Sequence, residues 1–522
     1  MSTKIILRNY QENIVKKVIE SDRKDMVQLP TGSGKTVIAA FLVKRYLKQN
    51  KKILFLAHRE ELLKQAKELF SDKFNISSGI IKAQQQTDLA QNVQIASIQT
   101  YHRRLNFNPN VIIVDEAHHS EAKTYQKIIT EHSDAKLIGL TATPCLLSSK
   151  GFNETFDNLI TTKTVKELES EKYLVPARCF SYPIAHDKLS RIKITGGDYN
   201  EKQLELIMND IVLIEDILIN YQKNAFGKKM IVFAASVNHS KNICEKFMRN
   251  GIKALHVDAK TENRKEILNE FRYGDTNILC NVGIATEGVD IPEIEVVCMA
   301  RPTMSLSLYL QMCGRGARTK DNKSHYILFD HANNFFEHGA PNKEHNWNLY
   351  FSGLNKTDKE QLQSKKFKLV FDDGREIEIE NILDIPADVK GFELVSVGVD
   401  VKEIVSKERT CGVCNVLFKP HHKNSKYCSA KCYGIKLSKF DKSERACKVC
   451  SALFKPRHKD SKCCSNKCSN IAQLTFDKSE RACKICSASF KPHHKTSKYC
   501  SKKCRGIVQK NVVVLLKQNL II

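Results

Sequence analysis

The 522-residue chain is predicted to be an α/β protein: two successive parallel-sheet domains, a small β-rich segment and three small cysteine-rich modules. Three observations predict this. Short apolar runs alternate with amphipathic helical stretches through residues 1–165; the alternation restarts near residue 230; and one cysteine pattern begins at Cys411, Cys447 and Cys483. Apolar strands separated by helices read as a parallel sheet covered on both faces.

In the first domain (1–165) the strand runs are ILFLA (53–57), VQIAS (93–97), VIIVD (111–115) and LIGLT (137–141), with REELLKQAKELF (59–70) as a helix between them. Residues 166–205 read as a linker or insertion around Gly196-Gly197. The second domain (206–350) carries MIVFAA (230–235), ALHVD (254–258), NILCNV (277–282), VVCMA (296–300) and YILFD (326–330). Within the accessory segment 351–405, KLVFDDGREIEIE (368–380) reads as a hairpin turning at DDG. The repeats occupy 406–436, 442–472 and 478–508, and 509–522 is a short apolar tail broken by Lys517.

Hydrophobic residues make up 42% of the chain and charged residues 27%, which fits a globular rather than a disordered protein. No apolar run approaches the roughly 18 residues a membrane span needs, so no membrane partner is expected. MSTKIILRNYQ lacks a signal-peptide core, and a cytoplasmic placement is expected. The net charge is +25, and residues 406–522 alone carry 27 Lys plus Arg against 6 Asp plus Glu. A basic tail on a nearly balanced body is an electrostatic footprint of nucleic-acid binding; a solvated tail with no specific partner is the alternative. The six cysteines outside the tail (Cys145, Cys179, Cys244, Cys280, Cys298, Cys313) are scattered and read as free thiols of a reducing compartment.

QLPTGSGKT (28–36) joins a strand to a helix. Its glycine-rich turn would let backbone N–H groups cradle phosphates at a helix N-terminus. Lys35 would reach the β- and γ-phosphates, and the Thr36 hydroxyl would ligate Mg²⁺. Leu29 occupies the first glycine position of the strict P-loop pattern. In VIIVDEAHH (111–119), Asp115 and Glu116 end a buried strand, where an ATPase needs one carboxylate for Mg²⁺ and a second to orient the attacking water. Arg315 and Arg318 of QMCGRGAR (311–318) are three apart and suit charge stabilisation on a transferring phosphoryl group.

In sequence order these motifs resemble those of superfamily 2 helicases and translocases over roughly residues 1–345. LRNYQ (7–11) resembles the adenine-reading motif, QLPTGSGKT motif I, AHREELLKQ (57–65) motif Ia and SIQT (97–100) motif Ib. VDEAH is similar to motif II, LTATP (140–144) to motif III, IVFAASVNHS (231–240) to motif IV, ATEGVDIP (285–292) to motif V and QMCGRGAR to motif VI. Leu29 is ordinary for motif I in that superfamily. The resemblance implies two RecA-like domains with ATP between them. It assigns Arg8 and Gln11 to adenine, and Pro30, Thr31, Gly32, Ser33, Gly34, Lys35 and Thr36 to the phosphates. It assigns Asp115 to Mg²⁺ and Glu116 to water. Gly288 and Asp290 would complete the site, Gln311, Arg315 and Arg318 would contact the γ-phosphate, and Thr141 and Thr143 would couple the site to nucleic acid. Motifs Ia and Ib would touch the nucleic-acid backbone. GDYNEKQLE (197–205) and LSLYLQMCGRGAR…ILFDHANN look like the RadD group of bacterial DNA-repair helicases. One departure is Cys145-Leu146 after TATP, where many relatives carry an Arg two positions on.

Each tail repeat is C-x₂-C, 13 residues, then C-x₃-C. The ligand sets are Cys411, Cys414, Cys428 and Cys432; Cys447, Cys450, Cys464 and Cys468; and Cys483, Cys486, Cys500 and Cys504. Four thiolates per unit suit a tetrahedral structural Zn²⁺, giving about three zinc ions per chain. In the middle repeat, alignment with Tyr427-Cys428 and Tyr499-Cys500 makes Cys464, not Cys463, the ligand. His421, His422, His458, His493 and His494 are rival ligands, and disulfides a rival chemistry. Lys419, Lys455 and Lys491 recur beside Phe418, Phe454 and Phe490, a pairing compatible with backbone contact plus base stacking or with a phenyl core for each module.

The expected function is therefore an ATP-dependent helicase or translocase, on DNA rather than RNA, with ATP, Mg²⁺ and Zn²⁺ as cofactors. The zinc tail would target nucleic acid or a protein partner. An RNA helicase and a non-catalytic binding protein are the alternatives.

Overall fold

The computed structural model describes residues 5–83, 88–182, 189–286, 288, 290–355 and 358, and the backbone of strands at 367–370, 376–379 and 392–396. In the tail it describes residues 444–454, 464, 465 and 468 and the strand residues 409–410, 417–418, 481–482 and 489–490. The chain forms two units, 1–404 and 405–522.

The first lobe of unit 1 is a seven-stranded parallel sheet. Its strands are β1 (Asp25–Gln28), β2 (Ile53–Ala57), β3 (Gly79–Ile81), β4 (Val93–Ser97), β5 (Val111–Asp115), β6 (Lys136–Thr141) and β7 (Asn158–Thr161), in the order β3-β4-β2-β5-β6-β1-β7. Every residue of β2 and β5 is buried, because helices cover both faces of a parallel sheet. Helices α1 (Asn9–Glu20), α2 (Lys35–Leu47), α3 (Glu60–Glu68), α4 (Ile98–Arg104) and α5 (Lys123–Glu131) make that cover. The first strand is half polar, and it is buried by pairing: Asp25 meets Lys136 Nζ at 2.9 Å and Asn158 Nδ2 at 3.1 Å.

Within 166–205, which the sequence presents as a linker or insertion, the described residues 166–182 and 189–205 form regular elements. After α6 (Val165–Ser170), β8 (Ala177–Ser181) pairs in parallel with a strand of the second lobe. The hairpin β9 (Ile194–Thr195) and β10 (Asp198–Tyr199) then leads into α7 (Glu201–Met208). The Asp198 carboxylate accepts from Thr303 Oγ1 at 2.6 Å and Met304 N at 2.8 Å, fixing the hairpin to the second lobe.

The second lobe contains α8 (Ile211–Asn224), β11 (Met230–Ala234), α9 (Val237–Arg249), β12 (Ala254–Val257), α10 (Arg264–Tyr273), β13 (Ile278–Asn281), β14 (Val296–Ala300), α11 (Leu306–Cys313) and β15 (Tyr326–Asp330). Asp210, Ser236 and Ser305 cap α8, α9 and α11 by accepting a backbone N–H. The parallel part of the sheet runs β12-β13-β11-β14-β15-β8. The accessory segment extends it with β16 (Phe367–Val370), β17 (Glu376–Ile379) and β18 (Phe392–Ser396), all antiparallel, with β18 on β8. The expected hairpin is thus β16–β17, and its DDG turn lies outside the described residues.

After α12 (Asn334–His338), the chain returns to the first lobe. Helix α13 (Trp347–Ser352) sets Phe351 in that lobe's core, Phe152 N donates to Phe351 O at 2.7 Å, and Leu354 N donates to Ser149 O at 2.9 Å. In unit 2 each repeat carries the same two-residue antiparallel pairing, Arg409–Phe418, Arg445–Phe454 and Arg481–Phe490, preserving the 36-residue period in the backbone.

Candidate active site between the lobes

The chain turns from β1 into α2 through residues whose backbone only glycine takes without strain. Gly32 has φ +84° and Gly34 φ +91°, the left-handed region. A Cβ on Gly34 would stand 2.6 Å from Gln11 Nε2. Gln11 itself braces the loop: its Nε2 donates to Ser33 O at 2.9 Å, beside a 2.6 Å bond from Tyr10 Oη to the same carbonyl. Pro30 O accepts from Ser33 N at 3.1 Å, and Thr31 and Thr36 are half-buried. Arg8 lies over the Tyr173 ring, 4.1 Å from its centroid, and Tyr10 packs against the same ring.

Lys35 opens α2 and meets Glu116 Oε1 at 2.9 Å. Asp115 ends β5, and its Oδ1 accepts the Glu116 N–H at 3.0 Å. Both carboxylates are buried. Glu116 adopts φ +49°. From it a relay of short contacts runs outward. His118 Nδ1 is 3.4 Å from Glu116 Oε2 and 3.1 Å from Thr141 Oγ1, which accepts from Thr143 N at 3.2 Å. Thr143 Oγ1 meets Ser307 Oγ of α11 at 2.6 Å, across the lobe boundary.

The second lobe closes on the loop through α11 and the turn after it. A Cβ on Gly314 would stand 2.3 Å from Thr31 Cγ2, and one on Gly32 would stand 3.9 Å from Arg318 Cγ. Arg318 pairs with Asp290 at 2.8 Å. Gln311 and Arg315 are buried, and Arg315 Nε donates to Gln311 O at 3.3 Å. The structure thus brings Arg318 and Asp290 to the P-loop side. A Cβ on Gly288 would meet Glu61 and Leu62 of α3, and the Gly288 carbonyl accepts from Gln65.

Sequence reading placed AHREELLKQ on nucleic acid, but three of its side chains reach the other lobe. Arg59 Nη1 donates to Gly283 O at 2.8 Å, Glu61 pairs with Arg264, and Gln65 contacts Gly288. The contacts of Tyr173, Ser307, Arg264 and Arg59 were not foreseen. Each depends on residues more than a hundred positions away in sequence, which no local spacing reveals.

In the tail, Cys447, Cys450, Cys464 and Cys468 place their sulfurs within 4.8 Å of one another. Cys450 and Cys464 are 3.5 Å apart, and Cys464 and Cys468 3.7 Å. A tetrahedral zinc site with Zn–S near 2.3 Å has edges of about 3.8 Å, whereas a disulfide needs about 2.05 Å. The Cys447–Ala452 turn closes with Cys447 N on Ala452 O at 2.9 Å. Backbone N–H groups of Cys450, Val449 and Cys464 around the Cys447 sulfur pull its pKa down, while the neighbouring sulfurs of Cys450, Cys468 and Cys447 push the Cys464 thiol up. The sets Cys411, Cys414, Cys428, Cys432 and Cys483, Cys486, Cys500, Cys504, with the rival histidines, lie outside the described residues.

A family model described as "Type III restriction enzyme, res subunit" matches residues 4–146, and one described as "Helicase conserved C-terminal domain" matches residues 210–320. A "51.5 kDa protein" of a Lactococcus phage is 36% identical, over 63% of this chain and 70% of its own. The chain belongs to the superfamily 2 helicases. This helicase is also 34% identical to "Putative ATP-dependent helicase IRC3" of Saccharomyces cerevisiae, over 62% of its own length and 51% of the yeast protein, so the match spans about half of that relative. It is 23% identical to "DNA 3'-5' translocase XPB2" of Sulfurisphaera tokodaii, over 62% of its own length and 80% of that protein. A fragment of "a putative HsdR subunit of a type I restriction enzyme from Vibrio vulnificus YJ016" shares the fold, with TM-score 0.52 at 19% identity over 68% of each chain. The helicase is an ATP-hydrolysing enzyme of two RecA-like lobes. Both family models end before the cysteine-rich repeats. Among the described residues no helix is long and apolar enough to cross a membrane.

Proposed function

We propose that the protein is an ATP-driven motor on DNA, acting in repair or recombination, and that its basic zinc tail keeps it on its track. The observation that carries the reading is the convergence at one loop of Lys35, Glu116 and the second-lobe residues Gly314 and Arg318. The tail charge supports a nucleic-acid track, and the relative named as a DNA translocase favours DNA over RNA.

In this reading Lys35 exchanges Glu116 for the β- and γ-phosphates when ATP enters. The buried Asp115 carboxylate and the Thr36 hydroxyl are hard oxygen donors that fit Mg²⁺, which would neutralise phosphate charge there. Glu116, freed from Lys35, orients the attacking water and accepts its proton. Arg318, Arg315 and Gln311 act on the γ-phosphate from the second lobe, with Asp290 aligning Arg318. Arg8 and Gln11 flank the adenine. Thr141 and Thr143 pass the state of Glu116 to α11 through Ser307. The four sulfurs at Cys447, Cys450, Cys464 and Cys468 fit one structural Zn²⁺, and the other two repeats supply equivalent sets, for three per chain.

ATP hydrolysis measured with single-stranded DNA, duplex DNA, forked DNA and RNA tests the reading. DNA should stimulate turnover more than RNA, and Lys35→Ala should abolish it. Stimulation by RNA alone would replace the DNA assignment with the RNA one.

A further inference from the structure

Lys323 follows the motif VI turn and reads in sequence as a surface lysine of TKDNKSH. In the fold its ammonium is drawn inward among four backbone carbonyls. Nζ stands 2.7 Å from Gly316 O and 2.9 Å from Arg318 O, and 2.5 Å from Ile294 O and 3.3 Å from Pro292 O. The first pair belongs to the GRGAR turn that delivers Arg315 and Arg318. The second belongs to the loop that follows Asp290 and leads into β14. A lysine has three N–H donors and no acceptor, so all its hydrogen-bonding capacity goes into joining these two segments. Together they carry the Arg318–Asp290 pair.

We propose that Lys323 is a positioning residue for ATP hydrolysis, holding the motif V loop and the motif VI turn in one geometry so that Arg318 and Asp290 meet the nucleotide as a unit. The inference rests on the reading that these two side chains face ATP. Lys323 touches neither nucleotide nor substrate and acts through the backbone of the residues that do.

Burial lowers the Lys323 pKa to about 8, against the pull of Glu295 and Glu293 and with help from Arg318 and Lys320. The ammonium therefore loses a proton, and one donor, as pH rises through about 8. The unfolded chain holds that proton up to the ordinary lysine value, so Lys323-linked stability rises with pH between the two values. The thermal midpoint measured across that window separates a loss of positioning from unfolding. Lys229 is an internal control, since its Nζ also donates to three carbonyls, of Phe271, Gly274 and Thr276, but these lie at the end of α10 and in the turn after it.

The test compares the full-length wild type with Lys323→Met, Lys323→Arg and Lys229→Met, measuring thermal midpoint, kcat and KM for ATP with single-stranded DNA, and the pH–rate profile. The wild type should show a descending limb with its midpoint near pH 8. Lys323→Met should lower kcat about tenfold with KM held within about twofold, the split expected when transition-state contacts are lost. Lys323→Arg, which keeps charge and donors, should recover most of kcat and move the limb upward. Lys229→Met should lower the thermal midpoint and leave kcat within about twofold. A wild-type profile without that limb, a limb unmoved in Lys323→Arg, or a folded Lys323→Met with wild-type kcat would each overturn the proposal. Failure of Lys323→Met to fold leaves the first two outcomes decisive. Arg318→Ala separates the two claims: undiminished turnover there refutes the nucleotide-facing role of Arg318, whereas lost turnover with normal Lys323 variants refutes only the positioning role.

Discussion

Glu116 sits at φ +49°, a conformation that costs a non-glycine residue on the order of 1–3 kcal/mol. The turn aims its carboxylate at Lys35 while its own N–H caps Asp115. Glu116→Gln keeps an acceptor for Lys35 but cannot take a proton. The variant should bind ATP normally and lose turnover by about 10²-fold or more, measured by nucleotide binding and steady-state hydrolysis on the same preparation. Gly34→Ala should act differently. Its φ of +91° and the approach to Gln11 predict a loss of about 1–3 kcal/mol of stability together with weakened ATP binding, read by thermal unfolding with and without nucleotide. That Lys35 would lie with Asp115 and Glu116 was legible, because a phosphate site calls for a lysine at a helix start and carboxylates at a strand end. Lys323 and Ser307 were not, because a lysine or serine becomes informative only when a distant segment supplies its partner.

At the scale of elements, strands buried on both faces declared themselves. The runs 53–57, 93–97, 111–115, 296–300 and 326–330 coincide with β2, β4, β5, β14 and β15. Strand β8 escaped notice because ARCFS is interrupted by Arg178 and Ser181, and because its sheet partner β15 lies about 150 residues onward. Strand β1 was expected ahead of QLPTGSGKT, and its polar Asp25 and Gln28 are buried on partners, Lys136 and Ala142 O. Helix α11 is tied to the first lobe by the Thr143–Ser307 hydroxyl pair at 2.6 Å. A double-mutant cycle of Thr143→Val and Ser307→Ala should give a coupling of about 0.5–1.5 kcal/mol in unfolding experiments. Each single variant should also reduce DNA stimulation of ATP turnover more than turnover without DNA.

For the whole molecule, the sequence shows a balanced motor followed by a strongly basic tail. The 36-residue period was legible from cysteines alone, and the paired strands at 409–418, 445–454 and 481–490 repeat it. A module this small has too little core to fold unaided, and in the proposed reading metal would supply its stability. Metal analysis of reduced, metal-replete protein should return about three zinc per chain. Zinc-stripped protein returned to Mg²⁺ buffer should bind DNA at least about tenfold more weakly and with a shallower salt dependence, while ATP turnover without DNA stays within about twofold. The most direct test of the motor itself is steady-state ATP hydrolysis by the full chain with and without single-stranded DNA, beside Lys35→Ala and Arg318→Ala. Two RecA-like lobes sharing one nucleotide predict stimulation by DNA that vanishes in both variants; turnover that survives both, or that ignores DNA, would contradict the account.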